Sequence, residues 1–176
     1  FKSNTNINNE LLTLKSPTLM TEVVQRLGLN ESYTVRKGLR TIGLYKCNPI
    51  VITYRHLDET PVSFTINLPS KKEFTISDVM IDGEELGTDF SGKMGDSIRM
   101  EIGTFVINPT KYWNDSFVGT SIRYNKGSVR AVTDYYATGL RADLGNEDAT
   151  IINLSIDDAS IQKAEDILLS LIHISE

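Results

Sequence analysis

Val62-Ser63-Phe64-Thr65-Ile66-Asn67-Leu68 alternates apolar and polar side chains without a break. That two-residue period belongs to a strand with one buried and one wetter face. Ile50-Val51-Ile52-Thr53-Tyr54 precedes it behind Pro49, and Phe74/Ile76, Ile98/Met100/Ile102 and Phe105/Ile107 continue the period. Turn chemistry falls between these runs at Leu68-Pro69-Ser70, Asp82-Gly83, Ser91-Gly92, Gly95-Asp96, Asn108-Pro109 and Asn125-Lys126-Gly127. The block from Ser63 to Asn108 reads as an antiparallel meander.

Outward from this block the period changes. Residues 8 to 28 place Leu11, Leu14, Leu19/Met20, Val23/Val24 and Leu27 three and four positions apart, which is one face of a helix. Ser16-Pro17 predicts a break, because serine suits an N-cap and proline suits the first helical position. Gly28 predicts the end of the second helix. Toward the C-terminus, Val129, Val132, Tyr135/Tyr136 and Leu140 predict a short helix over Ser128 to Gly139. The β-branched run Thr150 to Ile156 predicts a central strand. Asp157-Asp158 predicts the cap of a helix from Ala159 to Ile174, whose stripe is Ile161, Ala164, Ile167/Leu168 and Leu171/Ile172. The predicted fold class is α+β: a mixed or antiparallel sheet with N-terminal and C-terminal helices, 8–28 and 159–174, packed on it. With no repeat and no Pro/Gly-rich linker, residues 1–176 read as one domain.

The composition is that of a folded chain, with 40% hydrophobic and 23% charged residues. A formal net charge of -5 argues against nucleic acid as the partner. No apolar run reaches the roughly 18 residues of a transmembrane helix. The sequence opens at Phe1 without a signal pattern, and the expectation is a fragment of a longer protein.

Catalytic motifs are missing. Cys47, the single cysteine, stands beside Lys46 but has no base near it in sequence other than His56, and it reads as an inert thiol. His56 lies in a polar loop, and His173 on the last turn of the final helix suits the carbonyl end. Two acidic clusters, Asp82/Glu84/Glu85/Asp89 and Asp143/Glu147/Asp148, lack calcium-loop spacing and read as solvated turns. The abundance of carboxylates, 23 in all, removes any information from a carboxylate pair. There is no phosphate-cradling glycine loop and no His-Glu-x-x-His. Tyr112, Trp113 and Phe117 offer either a sugar-stacking platform or loop packing, with packing preferred. No residue is therefore expected to serve as a catalytic, cofactor-binding or metal-ligating group, and no cofactor is expected.

Two segments carry a family likeness. Glu10-Leu11-Leu12-Thr13-Leu14-Lys15-Ser16-Pro17-Thr18-Leu19-Met20, followed by Val23-Val24 and Leu27-Gly28-Leu29, resembles the E-x-x-x-L-K-S-R-x-L-M-x-x-V-V-x-x-L-x-L helix of Wzz/Wzc-type polysaccharide co-polymerases, the chain-length determinant family. Thr150 to Asp158, followed by Lys163-Ala164-Glu165-Asp166-Ile167-Leu168, resembles that family's T-x-I-I-x-L-S-x-x-D strand and A-E-D-I-L-N helix. Gly38-Leu39-Arg40-Thr41, Leu44-Tyr45 and Pro49-Ile50 look like the versions fused to a bacterial tyrosine autokinase. These parts cover about a third of the chain. Pro17 stands where arginine is usual, Leu169 where asparagine is common, and the proline that often opens the last helix is missing. The family's membrane segments, long hairpin and kinase domain lie outside these residues.

The resemblance implies a periplasmic domain of an inner-membrane protein, acting in capsule or exopolysaccharide assembly. It also implies a homo-oligomeric ring formed by the membrane-anchored parent, which sets polymer length and works with the polymerase and export machinery. The domain itself is expected to be a non-enzymatic scaffold. Polysaccharide is a further expected partner, and the competing expectations are a carbohydrate-binding module built on Tyr112 and Trp113 or an unrecognised hydrolase.

Overall fold

The computed structural model describes residues 2–55, 59–146 and 151–175, with side chains from Asn6 onward. Among the described residues the fold is α+β, with antiparallel pairing in its sheets and four α-helices. Where the sequence predicts one domain over 1–176, the chain divides into two compact units: Phe1–Asn30 with Val129–Glu176, and Glu31–Ser128 between them. Each has its own hydrophobic core. The seams are the turn Gly28-Leu29-Asn30 and the two-residue connection Gly127-Ser128, so no linker composition marks them.

The middle unit contains ten strands: β1 (Glu31–Lys37), β2 (Arg40–Gly43), β3 (Ile50–Tyr54), β4 (Val62–Leu68), β5 (Glu73–Ile81), β6 (Glu84–Glu85), β7 (Phe90–Lys93), β8 (Ser97–Met100), β9 (Gly103–Pro109) and β10 (Thr120–Lys126). One sheet runs β2-β1-β10-β4-β5-β6, with β7 also paired to β5; the other runs β3-β9-β8. The predicted meander is therefore split between two sheets. The reason is burial. Val62, Phe64, Ile66 and Leu68 make one apolar face, and Ile98, Met100, Phe105 and Ile107 make a second that needs an opposing layer. Phe64 stacks on Phe105 across the core, with ring centroids 5.5 Å apart at 19°.

Three predicted turns fall inside strands. Asn108-Pro109 closes β9, Asn125-Lys126 closes β10, and Ser91-Gly92 lies within β7. Gly92 is there for space, because an added Cβ would stand 3.1 Å from Phe74 Cζ and 3.2 Å from Ile98 Cδ1. Asp82-Gly83 is a turn as expected, with both residues at positive φ (51° and 82°), as a two-residue hairpin connection demands.

The other unit contains α1 (Lys2–Leu14), α2 (Pro17–Leu27), α3 (Val129–Gly139), β11 (Arg141–Leu144), β12 (Ile152–Ser155) and α4 (Ile161–Ser175). Ser16 occupies the N-cap position of α2 and Pro17 its first turn, although the serine hydroxyl makes no capping bond. Gly28 ends α2 in the left-handed conformation, its N–H donating to Gln25 O. The C-terminal helix starts later than predicted. Ser160 Oγ accepts from Lys163 N at 3.2 Å, while Asp158 accepts the Ser160 N–H and the Tyr136 hydroxyl. Asp157 instead holds Arg141 at 3.1 Å.

The run 150–156 is not a central strand. Its described part forms β12 of a two-stranded antiparallel hairpin with β11. β-branched composition signals an extended backbone but not how many neighbours it has. The helices expected on the strand-rich middle pack a shared core within their own unit, with Ile161 and Ile172 of the predicted α4 stripe left exposed. Leu19, Met20, Val23 and Val24 of α2 join Ile167 and Leu171 of α4, Tyr136 and Leu140, with Ile152, Leu154 and Ile156 packed against them. Each large side chain so buried contributes roughly 1.5–3 kcal/mol.

Candidate functional site

Among the described residues, those singled out by sequence form no common cluster. Cys47 is exposed in a turn after β2, its N–H donating to Leu44 O. His56 and Glu147-Asp148 lie outside the described residues. His173 is exposed on the last turn of α4. Asp82, Glu84, Glu85 and Asp89 are exposed around the β5–β6 turn, and Asp143 is exposed on β11. Among the described residues, no three His, Cys, Asp or Glu side chains form a metal-holding group.

Tyr112, Trp113 and Phe117 also fail to make a common platform. Trp113 and Phe117 are half-buried, tilted at 41° with centroids 6.3 Å apart, and packed against the β core. The indole Nε1 is buried without a partner among the described residues. Tyr112 is exposed alone, with Lys111 Nζ 5.1 Å from its ring centre.

In the helical unit, the two sequence segments that carry the family likeness do converge, since α2 and α4 share the Leu19/Val23/Ile167/Leu171 cluster. The flank of α4 beside this buried face keeps apolar side chains outside. Ile161, Leu169 and Ile172 are exposed, and their spacing of eight and three residues puts them on one helical face. Leu12 on α1 is exposed as well. A groove of about 670 Å³ opens in this unit, floored by Ile152 and Leu154 and walled by Asn9 and Thr13 of α1 and Ile172 of α4.

In the β unit, the core-side end of β10 is polar. Lys126 is 3% exposed and lies directly opposite Glu31 in register, with its Nζ 5.4 Å from the Tyr54 ring centre. The Tyr124 hydroxyl donates to the Glu31 carboxylate. Burial pushes the Tyr54 phenol up to about 12 and raises Tyr33 and Tyr124 further in the same direction. These tyrosines stay neutral and serve as packing and hydrogen-bonding groups.

The wetter face of the same sheet carries a feature that sequence reading missed. Ser32, Asn125, Ser63 and Met80 form one cross-strand row, and Thr34, Arg123, Thr65 and Ser77 form the next. Arg123 donates from Nη1 to Thr65 Oγ1 (3.2 Å) and to the Asp78 carbonyl (3.0 Å), and from Nη2 to Ser63 Oγ (2.7 Å). The register shift between Ser63 and Thr65 goes with a left-handed Asp78 (φ 51°). Local sequence gave no signal for this cluster, because the partners of Arg123 lie 45 to 60 residues away.

The structure thus defines a class: an α+β chain in which an all-antiparallel β unit stands, in sequence, between the two segments of a helical unit. The chain matches no protein-family model and no curated protein sequence.

Proposed function

We propose that this chain is an oligomerising scaffold domain of the polysaccharide co-polymerase type, the periplasmic part of an inner-membrane protein that helps set polymer length in capsule or exopolysaccharide assembly. One observation carries the reading: the two motif-bearing segments, from opposite ends of the sequence, share one core through Val23, Val24, Ile167 and Leu171. A scaffold acts through shape, and the outward apolar stripe Ile161/Leu169/Ile172 suits a protomer contact. Many weak copies of that contact, concentrated by membrane anchors, favour a closed ring without a strong pairwise interface.

The test is the mass of the full-length, membrane-anchored parent in lipid nanodiscs. A ring of several protomers supports the reading, and a monomer rejects it. The sugar-platform reading gains nothing from Trp113, whose ring packs on the core cluster.

A further inference from the structure

We infer that the groove around Arg123 on the polar face of the seven-stranded sheet is a binding site for the carboxylate of an acidic sugar. Arg123 is half-buried, and its three protein partners are a hydroxyl, a second hydroxyl and a backbone carbonyl. All three are neutral. Asp78 offers its backbone carbonyl and not its carboxylate. Among the described residues the guanidinium has no ion pair. A guanidinium has five N–H donors, and three are used here. The Nε–H and one Nη2–H remain for a ligand, and a planar fork with donors to spare suits a carboxylate.

The surroundings narrow the ligand. The groove is about 440 Å³, within the range of small-molecule sites, and is lined by Pro61, Ser63, Met80, Asn125 and Gly83 beside Arg123. Ser63 and Asn125 supply hydroxyl and amide groups, while Pro61 and Met80 supply an apolar patch, a combination that fits the hydroxyls and C–H face of a pyranose. Arg123 brings a cationic head group to the polar face of the groove. Lys126 also lines the groove, but its Nζ lies over the Tyr54 ring on the core side. A single positive charge matches a carboxylate better than a phosphate dianion. The exposed Asp82, Glu84 and Glu85 at the next turn oppose a dense polyanion. Glu85 pairs with Met80, and Asp82 and Glu84 flank Gly83. These acids therefore border the groove on the side away from Arg123, three strands along the sheet, and disfavour a ligand with several adjacent charges. The chemistry favours carboxylates spaced among neutral sugars. This inference stands on the groove alone, apart from the scaffold reading.

The experiment is an NMR titration of the whole chain with a hyaluronan tetrasaccharide, which alternates glucuronate with a neutral sugar, against neutral chitotetraose. The expected result is a shift of the Arg123 Nε–H signal and of amides at 61–63, 80–83 and 123–127, with the neutral oligosaccharide at least tenfold weaker. Arg123→Lys keeps the charge but loses the fork, and is expected to weaken binding about tenfold. Asn125→Asp leaves Arg123 in place and adds a negative charge in the same groove. It is expected to weaken binding fivefold to tenfold, so the site remains testable if the arginine variant unfolds. Equal binding of the neutral sugar, indifference to Asn125→Asp, or no shift at the highest soluble concentration would each overturn the inference. Ring assembly of the parent is unaffected by any of these outcomes.

Discussion

Glu31 and Lys126, the first residue of β1 and the last of β10, lie directly opposite each other in antiparallel register. The β unit thus begins and ends at one place, on two hydrogen-bonded central strands. Its core cluster draws only on residues between them. A unit with adjacent ends and a complete core behaves as an independent folding domain. Residues 29–129 expressed alone are expected to give dispersed NMR signals and one cooperative unfolding transition. A collapsed fragment without fixed side-chain signals would show that the β unit needs the helices.

Gly92 offers a sharper local test. Its absent Cβ would meet Phe74 and Ile98, both buried. Gly92→Ala forces one of these side chains to move and is expected to cost about 1–3 kcal/mol, the usual penalty for overpacking. Thermal unfolding of the β unit should fall by several degrees. An unchanged midpoint would mean that the Phe74 ring has room to yield.

The buried tyrosines fix a pH response. An unfolded tyrosine titrates near 10, whereas the folded Tyr54 titrates at about 12 because burial disfavours the phenolate. The folded state therefore holds its proton longer. The stabilisation is fully present below pH ~10 and is lost as pH rises from there through the folded value. Tyr33 and Tyr124 shift in the same direction. Denaturant midpoints of the β unit should be flat through neutral pH and fall above pH ~10, with Tyr54→Phe reducing the slope. A slope indifferent to Tyr54→Phe would contradict the assignment to this group.

The helical unit rests on Leu171, which is fully buried between α2 and α4 residues. Leu171→Ala is expected to cost about 2–5 kcal/mol. Hydrogen exchange should speed up in α2 and α4 while β4 and β10 keep their protection. Equal acceleration in both units would show that they unfold together.

The helices were legible because their signals are local. Ser16-Pro17 and Gly28 bracket α2, and its apolar spacing needs no knowledge of partners. β4 was legible for the same reason. β1 was not, since only Tyr33 and Val35 mark its inward face in a strand that is polar at all other positions. In β10 the core-side series is Ile122, Tyr124, Lys126, and a buried lysine hides the alternation. The division into two units was illegible because the turn at Asn30 and the short connection at Ser128 look like any others in the chain. Arg123 was illegible because a side chain's partners across a sheet are set by register, which one strand's sequence does not contain.

The scaffold account turns on self-association, and the stripe Ile161/Leu169/Ile172 is where it is most exposed to refutation. The decisive measurement is mass photometry of the membrane-anchored protein that the account proposes, beside its Leu169→Glu variant. The account predicts a discrete multimer of several chains that falls apart to single chains in the variant. Single chains in both samples, or a multimer untouched by the charge, would contradict it.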